Sequence, residues 1–148
     1  MILHAGLIAR RTGGCWAGAL VTGVSGAGKS DLMLRALDLG FRLVADDRTC
    51  VWTSGGLLYG RAPDPLQGLM ELRGVGVLGD EPPLPLAQVA MVVRCEEASS
   101  QVERLPDPQF EQVCEIKVPR LCVHALDASA PAKLGRALNH LSRGFRAA

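Results

Sequence analysis

The pattern of apolar and polar positions along the 148-residue chain predicts an α/β domain. Short apolar runs typical of buried strands lie at 2–9, 16–21, 41–45, 50–59 with a turn at 54–56, and 86–95. A run at 110–123 predicts one or two further strands, interrupted at Pro119. Apolar residues at helical spacing predict helices at 30–39, with Gly40 as the C-cap, and at 131–140. We therefore expect a single domain, residues 1–148, with a mixed central sheet and flanking helices.

Composition and charge are those of an ordinary globular protein. Hydrophobic residues make up 48% of the chain, charged residues 21%, and the net charge is +1, which argues against a broad surface for nucleic acid or anionic membrane. No apolar run approaches the ~20 residues that cross a bilayer, and the start of the chain lacks a secretory signal pattern. The cysteines are odd in number and widely spaced, so we expect small buried thiols in a reducing cytoplasm rather than a zinc site or disulfides. They are Cys15, Cys50, Cys95, Cys114 and Cys122.

A glycine-rich segment between the strand at 16–21 and the helix at 30–39 carries the clearest chemical signal. It matches the pattern G-x-x-x-x-G-K-[ST] at every fixed position, in the strand–loop–helix context that a phosphate-binding loop (P-loop) requires. The residues predicted to cradle phosphates are Gly23, Val24, Ser25, Gly26, Ala27, Gly28, Lys29 and Ser30. Backbone N–H groups and the positive end of the helix favour an anion here. We expect Lys29 to reach the β- and γ-phosphates and Ser30 to ligate Mg²⁺, so the chain binds nucleotide or another polyphosphate.

Two adjacent carboxylates end the next predicted strand, which we expect to run parallel to the strand before the loop. Asp46 and Asp47 follow the apolar run 41–45, and ligands of α/β sheets bind outside the carboxyl ends of strands. Successive side chains of an extended segment point in opposite directions, so the two aspartates should have different roles. One would support the Mg²⁺ shell and the other would act as a base toward a hydroxyl nucleophile. The alternative is a solvated turn.

Three further residues are candidates with a structural alternative. Residues 68–77 predict a strand or short helix that leads into a mobile glycine loop, where Glu71 would complete the metal shell and Arg73 would neutralise a transferring phosphoryl group. The alternative for that pair is a surface salt bridge. His4 would approach the phosphates if its strand ran antiparallel beside the loop strand, and otherwise is a structural histidine.

Three of these segments together resemble the catalytic domain of the HPr kinase/phosphorylase family, bacterial enzymes that act on a serine of the phosphocarrier HPr. They are the P-loop 23–30 followed by Asp31 and Leu32, the strand end Leu43-Val44-Ala45-Asp46-Asp47, and the E-x-R-G-x-G stretch within residues 70–77. His4 also resembles the family's histidine upstream of the P-loop, although the stretch between them is longer here. The resemblance covers residues 2–77 well and the remainder poorly.

The resemblance implies a P-loop kinase-like fold and a protein serine kinase of a bacterial phosphotransferase system. Carried over, Lys29 binds phosphate, Ser30 and Glu71 hold Mg²⁺, Asp47 accepts the proton of the substrate serine, and His4 lies near the transferred phosphoryl group. Arg104 is similar to a further catalytic arginine of the family. The implied partners are an HPr-type carrier, ATP and Mg²⁺, with pyrophosphate or inorganic phosphate as alternative donor or acceptor, and the family is hexameric.

The chain departs from the family toward its carboxyl end. Residues 118–126 keep little of the proline- and arginine-rich segment that the family links to phosphorolysis, so kinase activity is the safer expectation. The short chain resembles a form that has the catalytic domain alone. Two other functions stay open: a P-loop kinase of a small molecule, which would normally need a lid and a substrate-binding insertion, and a nucleotide-responsive regulatory module with little catalysis.

Overall fold

The computed structural model describes residues 1–79 and 83–147, and side chains as far as residue 141. Eleven strands and two α-helices follow one another along this part of the chain. They are β1 (Ile2–Leu3), β2 (Gly6–Thr12), β3 (Cys15–Thr22), α1 (Lys29–Leu37), β4 (Arg42–Ala45), β5 (Thr49–Ser54), β6 (Leu57–Arg61), β7 (Leu69–Leu72), β8 (Gly76–Gly79), β9 (Ala87–Glu96), β10 (Gln109–Val113), β11 (Ile116–His124) and α2 (Ala130–Ala147).

Nine of these strands form one mixed sheet around β9, which confirms the predicted α/β class. One edge of β9 pairs in parallel with β3 along most of its length. Its other edge pairs antiparallel with β6 at its beginning and in parallel with β11 from Val92 to its end. The order β1-β5-β6-β9-β3-β2-β4 describes the main path, and β10 pairs with β11. The sheet therefore continues in two directions from one edge of β9.

The core has two layers, one on each face of the sheet. Both helices pack on the same face, where Met33 of α1 and Leu134 of α2 meet Met91 of β9. The opposite face buries a second cluster that includes Leu7 and Val92. The predicted flanking helices are thus on one side only, and the other side is covered by strands and loops.

Most predicted elements exist, and the differences are informative. The break between β10 and β11 was predicted at Pro119, but Pro119 lies within β11. The break is at Cys114 and Glu115, whose positive φ angles of 47° and 68° make a tight turn. Pairing of β11 with β9 begins only at Arg120, so Pro119 is accommodated just outside that ladder. The predicted end of the last helix at His140 is also wrong, because α2 continues to Ala147.

The region around the P-loop strand differs from expectation in its pairing. β4 runs in the same direction as β3 but does not touch it, because antiparallel β2 lies between them. Residues 68–77 form neither a helix nor a strand of the main sheet; instead β7 and β8 pair as a separate two-stranded sheet. α1 ends at Leu37 with Asp38 as its C-cap, two residues before the predicted end at Leu39. Gly40, predicted as the C-cap, lies in the turn that follows, where it has φ +90° and the N–H of Phe41 bonds the carbonyl of Ala36.

All five cysteines are free, as predicted, but only Cys95 is buried. Cys15 is exposed because it begins β3 directly after the Gly13-Gly14 turn, and the other three are partly exposed. In the part of the chain that the structure describes, no helix is long and apolar enough to span a membrane.

Candidate functional site

The loop between β3 and α1 has the backbone geometry of an anion-binding turn. Three of its glycines have positive φ: Gly23 (145°), Gly26 (84°) and Gly28 (89°). A Cβ at Gly23 would also lie 2.8 Å from the carbonyl oxygen of Cys95, so this position excludes a side chain on steric grounds. Gly28 is the N-cap of α1 without a side-chain cap, so the first N–H groups of the helix stay available to an anion.

Lys29 folds back onto the loop that precedes it. Its Nζ donates to the carbonyl oxygens of Gly23, at 2.8 Å, and Val24, at 3.0 Å. The ammonium group is therefore held at the mouth of the turn, where an incoming anion would meet it. These two hydrogen bonds also close the loop into a ring, which fixes its shape.

Asp46 connects the P-loop to the β7–β8 hairpin. One carboxylate oxygen accepts a hydrogen bond from the Ser30 hydroxyl at 3.3 Å, and the other accepts the backbone N–H of Glu71 at 3.2 Å. Burial raises the pKa of Asp46, and the negative charges of Asp47 and Glu71 add to this rise. The two hydrogen bonds oppose it without cancelling it.

Asp47 has a different partner from Asp46, although the backbone turns at Asp47 and does not continue as the extended segment on which the prediction was based. Its Oδ1 lies 3.2 Å from Nε2 of His4, and both side chains are more than half exposed. The backbone of Asp47 has φ +67°, and the N–H of Arg48 bonds the carbonyl of Asp46 across it at 2.7 Å. This is a tight γ-turn, a conformation that costs free energy and that occurs preferentially at functional sites.

The β7–β8 hairpin brings Glu71 and Arg73 to the same place. Glu71 lies on β7 opposite Val77, and Arg73 lies in the connecting turn. Gly74 (φ +87°) and Gly76 (φ +126°) flank that turn, and a Cβ at either would meet only open space, so backbone conformation alone requires these glycines. Both charged side chains line the cleft beside the P-loop.

These groups surround one cleft with a volume of about 700 Å³. The predicted residues that line it are His4, Ser25, Gly26, Gly28, Lys29, Ser30, Asp46, Asp47, Glu71 and Arg73. Its size suits a nucleotide-sized ligand. The cleft combines donors for phosphate oxygens, carboxylates for a cation and an exposed carboxylate–histidine pair, which are the components of phosphoryl transfer.

The oxygen donors in the cleft suit a magnesium ion that shares its coordination with a ligand. Among the described residues, no three histidine, cysteine, aspartate or glutamate side chains are arranged to hold a metal ion by themselves. Mg²⁺ is usually held by one or two carboxylates together with substrate phosphates and water. The Ser30 hydroxyl, Asp46 and Glu71 supply that donor set.

The structure does not bring Arg104 to this cleft. Arg104 is exposed in the segment between the short 3₁₀ turn at Ser99–Gln101 and β10, and it does not line the cleft. Conversely, Asp31, Leu34, Leu72 and Val75 line the cleft without having been predicted. Leu34 lies four residues, about one helical turn, after Ser30. The i, i+4 spacing could therefore have predicted that Leu34 lies on the same side of α1 as Ser30.

An arginine of α1 supports the site from behind. Arg35 forms an ion pair with Asp31 at 2.9 Å and donates to the carbonyl oxygens of Ala125 and, at 3.0 Å, Asp127. These contacts attach the loop after β11 to α1. Leu126 of that loop packs against Gly28, and a Cβ added at Gly28 would lie 3.0 Å from the Leu126 side chain. The sequence pattern gave no indication of this contact.

Comparison with known proteins gives a consistent result. The sequence model of the HPr serine kinase C-terminal domain matches residues 14–134. The HPr kinase/phosphorylases of Limosilactobacillus reuteri and Leptothrix cholodnii are each 36% identical to the chain, over 131 and 122 residues that cover 82% and 75% of it. Those stretches are 39% and 37% of the relatives, so the chain spans about two fifths of their length.

The fold is also that of a solved structure. The HPr(Ser) kinase/phosphatase from Coxiella burnetii superimposes with a TM-score of 0.76, covering 99% of this chain and 90% of that one at 23% identity. The family-model match extends beyond residues 2–77, where the motifs lie, to the second half of the chain. Sequence motifs, family model and fold agree, and the chain belongs to the HPr serine kinase C-terminal domain family.

Proposed function

We propose that the protein is an ATP-dependent serine kinase of an HPr-type phosphocarrier in a bacterial phosphotransferase system. The observation that carries this proposal is the convergence of Lys29, Ser30, Asp46, Asp47 and Glu71 on one cleft of about 700 Å³. A phosphate loop alone would be common to many nucleotide-binding proteins. The additional exposed carboxylate of Asp47, beside His4, supports a hydroxyl acceptor that approaches from solvent, as a protein serine would.

In the proposed reaction, Asp47 receives the proton of the carrier's serine hydroxyl. The serine oxygen forms a bond to the γ-phosphorus of ATP, the bond between that phosphorus and the β–γ bridging oxygen breaks, and ADP leaves. His4, at 3.2 Å from Asp47, orients the carboxylate and stands beside the transferred group. The exposure of both side chains suits a substrate that approaches from solvent as a folded protein.

The other cleft residues bind and neutralise the phosphates. The loop N–H groups and Lys29 would hold the β- and γ-phosphates, after Lys29 exchanges its bonds to Gly23 and Val24 for phosphate oxygens. Ser30, Asp46 and Glu71 would hold Mg²⁺, which offsets the charge of the phosphate oxygens when bound. Arg73 would neutralise the group in transfer from the opposite wall.

Several finer features belong to the same proposal. We expect ATP as the donor, with pyrophosphate as an alternative, and kinase activity rather than phosphorolysis of phosphoserine by inorganic phosphate. We also expect a cytoplasmic protein that assembles as a homo-oligomer and binds neither nucleic acid nor membrane. These features rest on the family resemblance, the near-neutral charge and the free thiols.

The deciding experiment measures transfer of label from γ-labelled ATP, with Mg²⁺, to a purified HPr-type carrier. Asp47→Asn should reduce transfer by at least ~100-fold, because it removes the base. Asp64→Asn is the matched control, since Asp64 is exposed in a 3₁₀ turn, does not line the cleft, and pairs with nearby Arg61 at 3.3 Å. ATP binding without transfer to any carrier, or label on a small molecule instead, would contradict the proposal.

A further inference from the structure

A second cavity lies on the face of the sheet opposite the helices. Its volume is about 160 Å³, and Arg94 and Glu96 of β9, Arg120 and Cys122 of β11 and Gln109 of β10 line it. None of these residues lines the P-loop cleft. Neighbouring side chains of a strand point to opposite faces, so Arg94 faces this cavity while Cys95 lies in the helix-side core against Gly23. The two sites are therefore separated by the thickness of the sheet.

The parallel pairing of β9 and β11 brings two guanidinium groups to this cavity. Cys122 lies opposite Arg94, and Arg120 lies opposite Val92, one alternation earlier on the same face. Val92 and Val118 belong to the core cluster on that face, so both arginines extend from the edge of a well-packed layer. The register of the ladder, not a flexible loop, sets their positions.

Arg120 is the feature that the fold leaves unexplained. Its side chain is only 25% exposed, and its Nε is buried with no hydrogen-bond partner among the described residues. Its Nη1 is 3.6 Å from Oε1 of Glu111, which is an ion pair but too long for a hydrogen bond. A guanidinium group carries five N–H donors, and buried donors are nearly always paired. Beyond its ion pair with Glu111 and its contact with the Cys122 thiol, Arg120 therefore has N–H donors available for a further acceptor.

The other residues of the cavity wall indicate which kind of acceptor would bind beside Arg120. Arg94 is paired with Glu96, with Nε 3.3 Å from Oε1, and its side chain is 52% exposed, so it offers a second, accessible guanidinium group whose charge is partly offset by that carboxylate. The thiol of Cys122 donates to Oε1 of Gln109 at 3.3 Å. Burial raises the pKa of this thiol and the negative charge of Glu96 adds to the rise, while the charges of Arg120 and Arg94 and a hydrogen-bonding contact with Arg120 oppose it. Cys122 thus contributes a neutral group beside the two cations.

We infer that this cavity binds a small anion through a carboxylate or phosphate group, held by Arg120 with Arg94 as the second cation. A planar guanidinium group pairs with either group through two parallel hydrogen bonds. Glu96 and Glu103 line the same cavity and Glu111 pairs with Arg120, so these carboxylates would repel a ligand with several negative charges, and a small ligand with one anionic group fits. This inference does not depend on the proposed kinase activity.

Alkylation of Cys122 reports directly on occupancy of the cavity. The chain is treated with iodoacetamide with and without inorganic phosphate or acetate, and each cysteine is followed by peptide mass analysis. At a probe concentration of ten times its Kd, alkylation of Cys122 should slow about tenfold. Cys15, exposed at the far end of β3, is the internal control and should not change. Protection by phosphate alone or by acetate alone identifies the anionic group.

Variants separate this site from the P-loop. Arg120→Gln should abolish the protection, judged as the ratio of rates with and without probe, and Arg120→Lys should keep only part of it. Lys29→Met should leave it intact, because the P-loop is on the other face. If Arg120→Gln does not fold, Arg94→Gln replaces it, and a lower affinity for the probe is expected. Equal Cys122 rates with and without both probes, or full protection in the arginine variants, would overturn the inference.

Discussion

The imidazole Nε2 of His4 lies 3.2 Å from the carboxylate of Asp47, although 43 residues of sequence separate them. The antiparallel pairing of β2 between β3 and β4 produces this contact, because it places the start of β2 beside the end of β4. Both side chains are largely exposed, so the pair adds little to the stability of the fold. Its consequence is orientation of the carboxylate that we propose as the base.

Removal of the His4 imidazole should therefore reduce catalysis without unfolding the protein. We expect His4→Ala to lower kcat by up to ~100-fold through misplacement of Asp47, with little change in the KM for ATP or in Tm. His4→Gln should recover part of the rate, because its amide nitrogen can occupy the position of Nε2. Steady-state transfer to the carrier measures both variants. A fall in Tm that parallels the fall in rate would instead indicate a structural histidine.

Asp46→Asn should separate stability from activity. The folded state raises the pKa of Asp46, so the charged form is disfavoured in the fold and costs stability at pH 7. Asparagine keeps the network, because its oxygen can accept the Glu71 N–H and its amide can donate to Ser30. We expect a higher Tm than the parent at pH 7, together with loss of Mg²⁺-dependent transfer.

The pH dependence of this effect has a definite sign. As pH falls through the raised pKa toward the ordinary value of an aspartate, the folded state binds more protons than the unfolded state, so the parent gains stability from this group. The Tm advantage of Asp46→Asn should therefore shrink as the pH is lowered from 7 toward 4. A constant or growing advantage in that range would contradict the assigned shift.

Lys29→Met tests the phosphate loop. Among the described residues, the Nζ of Lys29 bonds the carbonyls of Gly23 and Val24 within its own loop, so its removal should cost the rest of the fold little. Binding of a polyphosphate loses a charge-assisted hydrogen bond, worth about 1.5–3 kcal/mol, so the Kd for ATP–Mg²⁺ should rise roughly 10- to 150-fold. Isothermal titration calorimetry measures this change. An unchanged Kd would mean that the nucleotide binds elsewhere.

Two glycine variants distinguish the hairpin that bears Glu71 and Arg73 from an ordinary turn. Gly76→Ala forces a side chain into φ +126°, at a cost of at least about 1 kcal/mol, and should impair transfer strongly. It should have little effect on Tm, because β7 and β8 form a sheet separate from the main one. Gly55→Ala is the matched control: φ is +58°, and the site is equally open, in the β5–β6 turn. It should lower Tm slightly and leave transfer unchanged. The reverse pattern would place the hairpin outside the reaction.

Local patterns predicted the P-loop and the β5–β6 hairpin, because each depends on neighbouring residues. Asp46 and Asp47 have different partners, but through the γ-turn at Asp47 and not through the alternation of a strand. The pairing of β2 with β4 and the position of the β7–β8 hairpin depend on distant segments, which periodicity does not encode. Pro119 was misjudged for the same reason, since proline is tolerated where the ladder has not yet begun. The contact between Arg35 and the 125–127 loop could not be predicted, because the sequence does not indicate which backbone carbonyls an arginine side chain will bond.

The β2–β3 hairpin has a consequence for how related sequences can vary. Gly6 pairs with Val21 at the cleft end, and Thr12 pairs with Cys15 at the far end, where Gly13 and Gly14 turn. Residues added in equal numbers to both strands at that turn lengthen the hairpin by about 3.4 Å per pair and leave its cleft end in place. The number of residues between the histidine and the phosphate loop is therefore free to drift between homologues while the distance between the two groups is inherited unchanged.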